Sequence, residues 1–90
     1  MTERREYNLL QTYLRTMGYL VSTGYRQSSA MVNDPPWYFE TLVWEWNNET
    51  KETDRILYSE NSGSTQNEAF RQHQIICRKL WNDEPLEEDQ

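Results

Sequence analysis

Ninety residues make about one domain, and a chain of this length buries only roughly 60 to 65% of the surface its unfolded form exposes. Four Trp, six Tyr and two Phe give it large side chains to bury, which argues against wholesale disorder although 27% of the residues are charged. Its single cysteine, Cys77, rules out an internal disulfide, and no run approaches the roughly 18 apolar residues of a membrane-spanning helix. Charges in Met1-Thr2-Glu3-Arg4-Arg5-Glu6 stand where a signal peptide needs an apolar stretch, so a cytoplasmic protein is expected.

The formal net charge of -6 is unevenly distributed. Residues 1–33 carry four Arg against two Glu, whereas residues 34–68 carry eight acids against Lys51 and Arg55. Arg71, Arg78 and Lys79 make residues 69–82 basic, and Asp83, Glu84, Glu87, Glu88 and Asp89 make residues 83–90 acidic. Two basic segments thus flank an acidic middle, and an acidic end follows.

From about residue 3, Tyr7, Leu10, Leu14, Met17 and Val21 recur at steps of three and four, with Leu9, Tyr13 and Leu20 widening the stripe. This spacing predicts a first helix. Gly18 suits a cap that ends it at residue 17 before a short strand over Tyr19 to Thr23, and Gly24 suits a helix running to residue 23; the continued spacing through Val21 favours the longer one. Residues 25–36, with Ser28, Ser29, Asn33, Asp34 and Pro35-Pro36, read as a loop.

Trp37 to Trp46 is the strongest strand signal, dense in β-branched and aromatic residues. One face shows Trp37, Phe39, Thr41 and Val43, the other Tyr38, Glu40, Leu42, Trp44 and Trp46. A polar turn over Asn47 to Thr53 and a second strand over Arg55 to Ser59 complete an antiparallel hairpin. After Asn61-Ser62-Gly63-Ser64, Thr65 and Glu68 form a capping box that opens a helix over about 66 to 82, with Ala69, Phe70, His73, Ile76, Cys77, Leu80 and Trp81 at helical spacing. The expected fold is α+β: helix, antiparallel hairpin with room for a third short strand, helix, in a small two-layer domain over residues 1–82. Residues 83–90 are expected to form an acidic flexible tail.

His73 and Cys77 lie four apart on one helix face, the spacing of a Cys-His nucleophilic pair. The neighbouring Ile75, Ile76 and Leu80 and the nearby helix C-terminus disfavour a thiolate, so a buried structural cysteine is the better reading. One His and one Cys build no closed zinc site, and the Asn47 to Asp54 segment lacks the ordered acidic pattern of a calcium loop. No glycine-rich phosphate loop is present. No catalytic residue, metal or cofactor is therefore expected. Lys and Arg are scattered, which argues against direct nucleic-acid binding. The acids suit first a solvated face that guards strand edges, and on a sharper reading they suit a surface offered to a basic partner. On the second reading the candidate partner-binding residues are Glu40, Trp44, Glu45, Trp46, Glu49, Glu52 and Asp54.

Trp37-Tyr38-Phe39-Glu40-Thr41-Leu42-Val43-Trp44, followed by Glu68-Ala69 and His73 on the next helix, resembles a set of small uncharacterised bacteriophage-encoded proteins. These read aromatic-Glu-Thr-aliphatic-Val-aromatic, then a hairpin, then a helix with Glu-Ala and a His four residues on. The match spans about half the chain, outside the first helix and the tail. It implies a phage origin and transfers no catalytic residue. The expected function is a non-enzymatic protein-binding module, an anti-CRISPR or other anti-defence inhibitor that occludes a basic surface on a host nucleic-acid-handling protein. The alternative is a structural or assembly protein that self-associates, as a homodimer, through the hairpin edge.

Overall fold

A computed structural model describes residues 7–27 and 37–86. Four antiparallel strands, β1 (Tyr7–Leu14), β2 (Tyr19–Gln27), β3 (Trp37–Asn47) and β4 (Glu52–Gly63), form one sheet in the order β1-β2-β3-β4, and α1 (Gln66–Trp81) follows. The chain is α+β, but its first described element is a strand: from Tyr7 on, the segment read as helix one is the hairpin β1–β2, and residues 3–6 of that reading lie outside the described residues.

The correction has a physical cause. Leu10, Thr12 and Leu14 alternate with Leu9, Gln11 and Tyr13, and a segment apolar on two faces gives a wide helical stripe and a two-faced strand alike. Tyr19, Val21, Thr23 and Tyr25 are β-formers that tip the balance. Gly18 closes the hairpin at φ 79°, in the left-handed region, after a single 3-10 turn over Arg15–Met17. Of the loop expected over 25–36, residues 25–27 belong to β2 and residues 28–36 lie outside the described residues.

The second hairpin stands where expected, with longer strands. Asn47 tightens its turn, accepting hydrogen bonds from the backbone N–H groups of Glu49 and Thr50 on its side chain and from that of Lys51 on its carbonyl. Trp46 N–H donates to the Gly18 carbonyl and Asn48 Nδ2 to the Arg15 carbonyl, tying the two turns together.

The helix starts on the predicted capping box: Glu68 N–H donates to Thr65 Oγ1, and the Glu68 carboxylate accepts from the Ser64 and Thr65 N–H groups. These bonds hold the Glu68 carboxyl below its ordinary pKa. At the other end Asp83 takes φ 59°, with Asp83 N–H donating to the Leu80 carbonyl and Glu84 N–H to that of Lys79, a Schellman closure. Within the expected tail, Leu86 packs against the core, and residues 87–90 lie outside the described residues.

The helix lies across all four strands on one face. Val21, Val43, Ile76 and Leu80 form the buried cluster, and Leu14, Tyr19, Tyr58, Cys77 and Leu86 pack around it. Ala69 is fully buried and, being small, lets the start of the helix lie close to the strands. An aromatic row crosses β1, β2 and β3, with ring centroids of Tyr7 and Tyr25 5.5 Å apart and those of Tyr25 and Phe39 4.8 Å apart.

Candidate functional site

Beneath α1 a chain of polar side chains runs across the sheet. Register places Leu10, Thr23, Thr41 and Glu60 on one rung and Thr12, Val21, Val43 and Tyr58 on the next, all on the helix side. His73 descends onto these rungs, its Nε2 2.8 Å from Thr12 Oγ1 and its Nδ1 2.8 Å from Thr23 Oγ1. The chain continues from Thr23 to Thr41 at 2.7 Å and from Thr41 to Ser62 at 2.6 Å. A neutral imidazole donates from one nitrogen and accepts at the other, and each hydroxyl passes the direction on, so either tautomer satisfies the whole chain. Among the described residues no buried side-chain nitrogen or oxygen lacks a partner. Burial pushes the His73 pKa down to about 4, which keeps the ring neutral at physiological pH.

This arrangement bears on the Cys-His pair. Both nitrogens of His73 are taken by threonine hydroxyls, so neither is free to act as base toward Cys77. Burial raises the Cys77 thiol above its ordinary pKa, against a smaller opposite pull from Thr12. The pair has the environment of a structural element. Among the described residues no three or more His, Cys, Asp or Glu side chains gather where they could hold a metal ion, and no helix is long and apolar enough to cross a membrane.

The opposite face carries different chemistry. Alternation along β3 turns Tyr38, Glu40, Leu42, Trp44 and Trp46 away from the helix, and Trp44 lies across from Leu20 on one side and Ile56 on the other. Tyr13, on the same rung, sets its ring edge-on to Trp46 with centroids 4.9 Å apart, and the Arg15 guanidinium sits 5.3 Å from the Tyr13 centroid. Leu20, between Tyr13 and Trp44, is only 5% exposed although none of the described elements covers this face. Trp44, Trp46 and Leu42 are half-buried, and Ile56 and Leu57 are exposed. The Trp46 indole N–H is used within the molecule, donating to Asn48 Oδ1. On β2, Gly24 leaves room for Arg26 to fold back to the Tyr7 carbonyl and Asn8; a Cβ there would lie 2.6 Å from that carbonyl oxygen.

The structure therefore divides the candidate residues. Glu40, Trp44 and Trp46 share the uncovered face. Glu49 stands in the exposed turn, and Glu52 and Asp54 are exposed at the start of β4. Glu45 alternates onto the helix side of β3, where Arg55 pairs with it at 3.3 Å. Tyr13, Leu20 and Ile56 belong to the aromatic face but are not among the candidates read from the sequence. The first two were hidden by the helix assignment; the alternation of Leu9, Gln11 and Tyr13 is the signal that could have placed Tyr13.

Comparison with family models, with curated proteins and with solved structures finds no match to this chain.

Proposed function

We propose that this protein is a non-enzymatic binding module that docks a basic host protein on the uncovered face of its sheet and occludes that partner's working surface. The observation that carries the reading is the asymmetry of cover: α1 lies on one face, while Tyr13, Leu42, Trp44, Trp46 and Ile56 occupy the other. Aromatic side chains with a buried foot and an accessible edge are the usual anchors of protein interfaces. Glu40 on the same face, with Glu49, Glu52 and Asp54 at the hairpin end, supplies the negative rim that steers a positive partner. A basic groove that handles nucleic acid has the matching chemistry, in keeping with a phage-encoded inhibitor acting in the bacterial cytoplasm.

The test is affinity capture from nuclease-treated bacterial lysate, run side by side with wild type and a Trp44→Thr/Ile56→Thr double variant, which retains β-forming residues. The expected result is a stoichiometric basic protein held by wild type at low salt, released as salt rises, and not held by a folded double variant. Equal retention by both proteins would remove the aromatic face from the mechanism.

A further inference from the structure

The two edges of the sheet are built differently. At one edge, β4 carries Glu52, Asp54, Arg55 and Glu60, and its register against β3 shifts at three places. Charges and bulges are the devices by which an edge strand avoids pairing with other chains. At the other edge, β1 reads Tyr-Asn-Leu-Leu-Gln-Thr-Tyr-Leu over 8 residues, without charge, proline or glycine, and with one register shift near Leu9. Its outward backbone groups have no strand beside them among the described residues. Tyr7 and Tyr13, near its ends, are exposed.

We propose that β1 is a self-pairing edge, through which two copies join antiparallel about a two-fold axis into one continuous eight-stranded sheet. The placement of charge selects a second copy as the occupant. Within 7–27 the only charged residues are Arg15 and Arg26, whereas Glu40, Glu45, Glu49, Glu52, Asp54 and Glu60 all lie on β3, β4 and their turn. Pairing through β1 sets the acidic hairpins of the two copies at opposite ends of the joint sheet; pairing through β4 brings them together. A two-fold contact is isologous and needs a self-complementary strip, which an uncharged antiparallel strand provides. The hairpin edge expected from the sequence is thus the guarded one, and the open edge lies on the segment that read as a helix. The aromatic face stays free in this dimer, so the inference stands apart from the partner reading.

Gln11 and Ser59 give a matched test. They lie on one rung, Gln11–Ser22–Leu42–Ser59, at opposite edges, and both are exposed. Sedimentation equilibrium is expected to show a concentration-dependent dimer for wild type and for Ser59→Lys, and a dimer weakened by about tenfold or more for Gln11→Lys, where like charges meet across the junction. Far-UV circular dichroism at low concentration checks that Gln11→Lys is folded. Independently of any variant, amide hydrogen exchange in β1 is expected to slow as protein concentration rises, with β4 unchanged. A wild-type monomer up to the solubility limit overturns the proposal. So does growth beyond a dimer, or a dimer broken by Ser59→Lys and spared by Gln11→Lys.

Discussion

The two faces of the sheet are made by the same strands and solve opposite problems. On the covered side β2 and β3 present Val21, Thr23, Thr41 and Val43, small or branched side chains that let α1 approach closely, and the helix answers with Ala69, His73, Ile76 and Leu80. On the uncovered side the same strands present Leu20, Ser22, Leu42 and Trp44, and Leu20 is buried although no second layer lies there among the described residues. The difference implies that the covered face carries more of the stability than the other.

Matched truncations put that division under the heaviest load. Ile76 is 2% exposed within the core cluster, so Ile76→Ala is expected to destabilise by about 2 to 4 kcal/mol through lost burial and a residual cavity. Leu42→Ala, on the half-buried uncovered face, is expected to cost about 1 kcal/mol. Urea denaturation of both variants gives the comparison. Equal losses would mean that the uncovered face is as much core as the covered one.

The next effect is chemical and belongs to the covered face alone. His73 has a folded pKa of about 4, below its ordinary value of 6.5, so between these values the unfolded chain binds more protons than the folded one. Its contribution is fully present above about pH 6.5 and is lost as pH falls toward 4, up to about 3 kcal/mol in all. Stability measured across that window is expected to fall for wild type and to flatten for His73→Gln, which keeps a donor and an acceptor in the chain of hydroxyls but does not titrate. Identical pH profiles for the two proteins would show that the imidazole is not the group responsible.

How much of this was legible follows from how many readings each segment allows. Thr65 and Glu68, three apart before an apolar 3-4 pattern, admit little besides a capped helix, and that helix stands where expected. Trp37 to Trp46 is dense in β-branched and aromatic side chains, and from Tyr38 to Trp46 its two faces separate as read. Tyr7 to Val21 is apolar at spacings that suit both a helix and a strand, and the deciding contacts are long-range. Thr12 and Thr23 meet His73 across 61 and 50 residues of chain, a separation that no local pattern reports. The aromatic face was half visible for the same reason: Trp44 and Trp46 come from the legible hairpin, whereas Tyr13 comes from the illegible one.

The smallest expected effect separates the faces within a single strand. Glu40 and Glu45 are both acids of β3, and both stand among the candidate partner-binding residues read from the sequence. Alternation puts Glu40 on the uncovered face and Glu45 on the helix side, beside Arg55. The Glu45 and Arg55 side chains are 42% and 72% exposed, so solvent screens the pair and Glu45→Gln is expected to cost no more than about 0.5 kcal/mol. Glu45→Gln is also expected to leave partner capture unchanged. Glu40→Gln, equally conservative in shape, is expected to leave the fold intact and to weaken capture at low salt, since it removes a charge from the docking face. The reverse outcome would place the partner on the helix side of the hairpin and move the functional surface off the aromatic face.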